Sequence, residues 1–166
     1  MGAAYSFVSR WSVPASPERC WAEIERMIAP PAPPGLPAAD PTARATASWW
    51  PGVTLAEAPA AIAPGEALVL AVRSPLGYRL RARFTITDVE PGRSIGARSD
   101  GDLRGAGRLE ILPAGEAASL VFHWDVETER AWMNATAFAL RPLFARAHER
   151  VMARGEQGLL AALARE

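Results

Sequence analysis

The sequence predicts an α+β domain in which a curved antiparallel sheet wraps around one long C-terminal helix. Three observations carry this expectation. An alternating apolar/polar pattern opens the chain at Tyr5–Val13 and returns in six segments between residues 53 and 128. The breaks between those segments contain Pro and Gly or are charged, as antiparallel hairpins require. A helical stretch then runs from about Ala131 to Leu163 with one broad apolar stripe. Strands in succession followed by a helix give segregated α+β layers rather than alternating α/β units.

In "YSFVSRWSV", Tyr5, Phe7, Trp11 and Val13 share one face, and Ser6, Arg10 and Ser12 the other, so one face is buried. Ser16 can cap the helix that follows, Pro17 suits its first turn, and Glu18 places negative charge at its positive end. Cys20, Trp21, Ile24, Met27 and Ile28 then recur at helical spacing. "APPAPPGLPAADP" is too rich in proline to continue that helix and reads as a surface loop. Asp40 can cap a second short helix, "PTARATASWW", which Pro51–Gly52 ends.

The next segments are "VTLAEA", "EALVLAVRS", "YRLRARFTITDVE", "RSIGARS", "LRGAGRLEIL" and "ASLVFHWDVET". Leu80, Ala82, Phe84 and Ile86 alternate with Arg79, Arg81, Arg83, Thr85 and Thr87. Likewise Leu120, Phe122, Trp124 and Val126 lie opposite Val121, His123, Asp125 and Glu127. Along the last helix Met133, Leu140, Phe144, Ala147, His148, Val151, Met152 and Leu159 form the stripe. Pro142 should kink it near its start, while Gly155 and Gly158 weaken its end.

With 166 residues the chain is long enough for one domain, residues 1–166, and a sizeable core. Its apolar runs fall far short of a membrane span, so a soluble protein is expected. Lys plus Arg equal Asp plus Glu at 18 each, leaving no net field to attract nucleic acid or an anionic membrane. All the cationic residues are arginine, which fits GC-rich bacterial coding. The single cysteine, Cys20, and the lack of a signal-peptide pattern point to the cytoplasm. "MGAAYS" fits an N-myristoylation pattern, but Tyr5 and Phe7 already begin a strand, and "NAT" at Asn134 is a chance sequon.

One helix cannot fill the concavity of a curved sheet, so the fold implies an apolar cavity, the usual form of a small-molecule site. Gly105 and Gly107, in phase with Leu109 and Ile111, should enlarge it. This order of elements resembles the helix-grip fold of the START/Bet v 1-like superfamily (SRPBCC). "VPASPERCWAEI", "WWPGV", "GDLRGAGRLEI" and "HWDVETERAWMN" running into "RPLFARAHERVMARGEQGLLAAL" are similar to a bacterial polyketide cyclase/dehydrase-like subgroup. The resemblance covers nearly the whole chain and implies fold more than function, since that superfamily includes lipid carriers, cyclases, hydrolases and stress-response binders. Arg146–Ala147 stand where the subgroup would carry another aromatic residue or Asn near His148.

The expected ligand-binding face comprises Trp11, Trp49, Trp50, Leu80, Phe84, Phe122, Trp124, Met133, Phe144, His148 and Met152. Trp49 and Trp50 would form a lid, with one ring in the core and one at the mouth, because neighbours in sequence do not share a face. His148 is the candidate general base or carbonyl ligand, although a core histidine more often bonds a backbone carbonyl. Asn134 and Thr136 are further polar groups for the cavity, and His123 falls on the solvent phase. Arg79, Arg81 and Arg83 form a solvated stripe whose carboxylate partners would be Glu110, Asp125 or Glu127. "GDLRGAG" does not lead from a strand into a helix, so it is no phosphate cradle. No metal site, triad or cofactor is indicated.

Three functions fit this reading. The first is binding of a hydrophobic small molecule, a lipid or polyketide, by a carrier or sensor. The second is a polyketide cyclase/aromatase that folds its substrate in the same cavity. The third is a protein-interaction module of the same fold. A homodimer is compatible with each.

Overall fold

The computed structural model describes residues 4–32, 34–35, 48–128 and 131–165, without the side chains of Met133, Ala137, Phe138 and Leu140. Seven strands and two helices follow in the order β1 (Ala4–Val13), α1 (Pro17–Ile28), β2 (Val53–Glu57), β3 (Ala67–Arg73), β4 (Arg79–Glu90), β5 (Ser94–Gly101), β6 (Leu103–Ala114), β7 (Ala117–Thr128) and α2 (Ala131–Leu163). The strands form one curled antiparallel sheet ordered β1-β7-β6-β5-β4-β3-β2. Six of the seven follow one another through hairpins; β1 alone joins from a distance, with Val13 facing Ala118 and Ala4 facing Glu127. Irregular pairing near Glu57 and Thr87 interrupts two ladders, and such bulges increase local bend and twist.

The expected caps and turns occur. Ser16 Oγ accepts from the backbone N–H of Arg19, and Pro17 opens α1. Trp50–Pro51–Gly52–Val53 is a tight turn: the Val53 N–H donates to the Trp50 carbonyl at 3.1 Å and Gly52 takes φ +84°, the type II arrangement that proline followed by glycine favours. The second short helix expected over residues 41–50 lies mostly outside the described residues, and Trp49 and Trp50 themselves sit in a bend.

Helix α2 continues as one helix past Pro142, which has no N–H to donate, and past Gly155 and Gly158. The two glycines, expected to weaken its end, also serve a packing purpose. A Cβ on Gly155 would overlap the Trp50 ring and stand 2.7 Å from Trp11 Cζ2. On Gly158 it would overlap the Trp49 carbonyl oxygen and lie 3.2 Å from Pro51 Cδ. One face of the helix is thus bare where the 49–51 segment presses on it. Gly105 likewise leaves room for backbone, since a Cβ there would stand 2.8 Å from Val126 Cα. Gly107, which lines the pocket, gives its space to the Trp124 ring, 3.2 Å from such a Cβ, so both glycines serve close packing.

The arginine stripe on β4 is paired differently from expectation. Arg81 and Arg83 bind the two oxygens of Glu57, at 3.1 and 3.2 Å, rather than Glu110, Asp125 or Glu127. The reason is strand order: β4 lies beside β3 and β5, whereas Asp125 and Glu127 are on distant β7. Glu110 pairs with Arg108 and His123.

Replacing Gly158 with Ala tests the close approach. Alanine favours a helix over glycine by about 1 kcal/mol, yet overpacking against a backbone carbonyl costs about 1–3 kcal/mol. Gly158→Ala should therefore lower the urea midpoint, and an unchanged or higher midpoint would show that the 49–51 segment yields without cost.

Candidate functional site

Curling the sheet under α2 leaves a pocket of about 310 Å³ between its concave face, α1, the 49–50 segment and α2. Its walls follow from strand alternation. On β4, Leu80, Ala82, Phe84 and Ile86 face inward, and on β7, Phe122, Trp124 and Val126 do so. Helix α2 contributes Phe144, Ala147, His148, Val151 and Met152, which recur at three- and four-residue spacing. The lining is almost wholly carbon.

Ten of the eleven expected residues meet here: Trp11, Trp49, Trp50, Leu80, Phe84, Phe122, Trp124, Phe144, His148 and Met152. The side chain of Met133 lies outside the described residues. Asn134 and Thr136 are not part of the lining: Asn134 is hydrogen-bonded to Thr128, and the Thr136 hydroxyl donates to the Trp132 carbonyl at 2.8 Å. Phe7, Tyr78 and the inward residues of β3, Leu68, Leu70 and Val72, belong to the wall but were missing from the expected set. Their signal was available: Phe7 shares the face of Trp11, and Tyr78 continues the phase of Leu80.

Trp49 and Trp50 both line the pocket, contrary to the expected division between core and mouth. Alternation governs extended strands and not a bend, so the rings stack with planes 4° apart and centroids 6.0 Å apart. The Trp50 indole N–H donates to the Val151 carbonyl at 2.8 Å, and that of Trp49 reaches the Glu23 carbonyl at 3.4 Å. Trp11 meets Trp50 edge-on at 5.0 Å and Phe122 at 4.4 Å. The pair is fastened to both helices.

At the other end of the pocket, His148 stacks on Phe7 with centroids 4.0 Å apart and lies 5.8 Å from Trp124. Among the described residues no hydrogen-bonding partner joins it. Burial alone lowers its pKa from 6.5 to about 4, so the imidazole is neutral at pH 7. The Tyr5 hydroxyl and the Trp124 indole N–H are buried nearby without partners. Burial raises the Tyr5 pKa, and Arg141, 5.4 Å above its ring, opposes this in part. The Trp11 indole N–H, at the tryptophan end, is also buried and unpartnered. His123 is half exposed on the outer face, 3.4 Å from Glu110, as its strand phase predicts. Cys20 is buried, which raises its thiol pKa. Among the described residues no group of His, Cys, Asp and Glu could hold a metal ion, and no helix is long and apolar enough to cross a membrane.

No family model and no curated protein matches the chain. Solved structures do. The Zhui aromatase/cyclase of Streptomyces sp. R1128 superposes with a TM-score of 0.66 at 17% identity, over 98% of this chain and 95% of that one. A Rhodobacter sphaeroides protein gives 0.61 at 18% identity over 98% and 94%. An uncharacterised Rhizobium leguminosarum protein gives 0.61 at 13% identity over 100% and 98%. The fold is the helix-grip fold. At these identities the similarity is one of architecture, and the resemblance read from the sequence is matched at that level.

The environment of His148 sets a pH dependence. The unfolded imidazole takes up its proton near pH 6.5 and the folded one only near 4. The unfolded state therefore binds more protons in that window, and stability falls as pH drops through it. The two pKa values correspond to about 3 kcal/mol lost between neutrality and pH 4. His148→Leu should lose correspondingly less, read as the difference in urea midpoint between the two proteins at each pH. That difference excludes the acid losses through Asp88 and Glu18. The Asp88 carboxyl is held low first by the Thr87 hydroxyl and then by Arg108, and that of Glu18 by its own backbone N–H and Ser16. Parallel pH profiles for both proteins would mean that His148 is not desolvated.

Proposed function

We propose that the protein binds a hydrophobic small molecule in the pocket beneath α2, as a carrier or sensor. The observation that carries this reading is a carbon-lined space of about 310 Å³ whose inward imidazole, that of His148, has no acid or amide partner among the described residues. A general base is normally oriented by a third group, and none holds His148. The volume is that of about ten water molecules, which suits roughly two fused rings or a chain of similar bulk. Burial of such a ligand would drive affinity at about 25 cal/mol per Å², less the costs of association. Lipids and polyketides are the ligand classes in view.

A second reading has its own support. The fold similarity to the Streptomyces aromatase/cyclase favours an enzyme that folds a poly-β-ketone chain in the same pocket, with His148 moving protons in aldol cyclisation and dehydration. Such chemistry can depend chiefly on holding a reactive chain in one conformation. Product formation by the wild type and none by His148→Ala would favour it.

Binding is tested with the uncharged fluorophore N-phenyl-1-naphthylamine, alongside native mass spectrometry of the protein as purified. The probe should brighten and saturate at one per chain. Ala97 lies on the β5 floor opposite Ile86 and Gly107 and lines the pocket. Ala97→Phe would occupy the space and should weaken the probe at least about tenfold. Undiminished binding in this variant would place the probe elsewhere, and no binding to the wild type would count against the carrier reading.

A further inference from the structure

The binding pocket, on the reading above, has a chemical preference as well as a shape. We propose that it selects an uncharged ligand whose single polar atom meets the imidazole of His148 and whose remainder is hydrocarbon. The argument begins with what surrounds that ring. Phe7 from β1 covers one face at 4.0 Å, and Trp124 from β7 stands 5.8 Å away. The Ser74 and Thr128 hydroxyls of the lining are hydrogen-bonded, to the Leu76 N–H and to Asn134. Near His148, the Tyr5 hydroxyl and the Trp124 indole N–H have no partner among the described residues. All three groups are neutral at pH 7, and each can donate to an oxygen.

Among the described residues, the charged groups near this end are either engaged or exposed. Arg141 lies over the Tyr5 ring, with its guanidinium donating to the Ala4 carbonyl at 3.0 Å. Arg146 and Glu149, beside His148 in sequence, are exposed. Arg108 and His123 reach the border of the pocket, but their side chains are half exposed and paired, Arg108 with Asp88 at 2.6 Å and His123 with Glu110 at 3.4 Å. A carboxylate entering the pocket would leave water with no unengaged cation among the described residues to receive it. It could recruit a proton onto His148, but the pair would then require two charges to be desolvated in place of none. A hydroxyl or ketone asks for neither. It exchanges one hydrogen bond to water for one to the imidazole and leaves the hydrocarbon walls in contact with hydrocarbon.

The test uses three ligands of one shape, namely naphthalene, 2-naphthol and 2-naphthoate. Each displaces the naphthylamine probe at neutral pH, where 2-naphthoate is ionised and 2-naphthol is not. The naphthol should bind about tenfold tighter than naphthalene, as expected for one hydrogen bond, and at least about tenfold tighter than the naphthoate. His148→Leu should remove the advantage of naphthol over naphthalene, read as the ratio of the two affinities within each protein. His148→Gln, which can still donate and accept, should keep most of that advantage. Naphthoate binding as tightly as naphthol would overturn the proposal, and so would a naphthol preference that survives in His148→Leu. If the probe binds and these results fail, the selectivity is wrong and the pocket stands. If the probe itself does not bind, the binding reading falls and takes this inference with it.

Discussion

The contact on which the pocket depends is the fastening of α2 to the Trp49–Trp50 segment. A curled sheet under a single helix has more concave surface than the helix can cover, so the helix must be fixed at a definite height and tilt. Gly155 and Gly158 let the segment approach to backbone distance, and the indole N–H of Trp50 fixes the position by bonding the Val151 carbonyl. Trp11 and Phe122 extend the same junction into β1 and β7. With that end anchored, the preceding turns of α2, including Ala147 and His148, roof the space instead of collapsing into it. What the sequence suggests to be a lid is closer to a fixed end wall.

Much of this was legible in the sequence because the sheet obeys a period of two. The inward residues of β4 and β7 could be read by alternation alone, and so could the partner face of β1. The helix stripe located Phe144, His148 and Met152 in the same way. Features that depend on a second, distant segment were not legible. The part played by Gly155 and Gly158 follows from what lies against them, about a hundred positions earlier in the chain. The ion pairs of Arg81 and Arg83 depend on which strand adjoins β3, a fact of topology rather than pattern. The stacking of Trp49 on Trp50 depends on a bend, where face assignments by parity lose meaning.

The polar inventory of the pocket bears on the balance between binding and catalysis. Three donors and a neutral imidazole lie among carbon, while Asn134 and Thr136, about three to four turns before His148 on the same helix, are out of its reach and engaged elsewhere. Buried donors without acceptors are costly in a folded protein, and a ligand oxygen relieves that cost as effectively as a protein one. A ligand oxygen could therefore take the place of the protein acceptors that these donors lack among the described residues.

The position of β1 in the sheet has a consequence for how the molecule is made. β1 leaves the ribosome before β2–β7, yet its hydrogen-bonding partner is β7, among the last residues before α2. The hairpins from β2 to β7 can form as they emerge, but the opening strand, with Tyr5, Phe7 and Trp11 along one face, must wait while nearly the whole chain is synthesised. Closing so long a loop is slow, and an aromatic strand without its neighbour is open to wrong pairing in the interval. The pairing of β1 with β7 completes the sheet, and the pocket has a complete wall only after it.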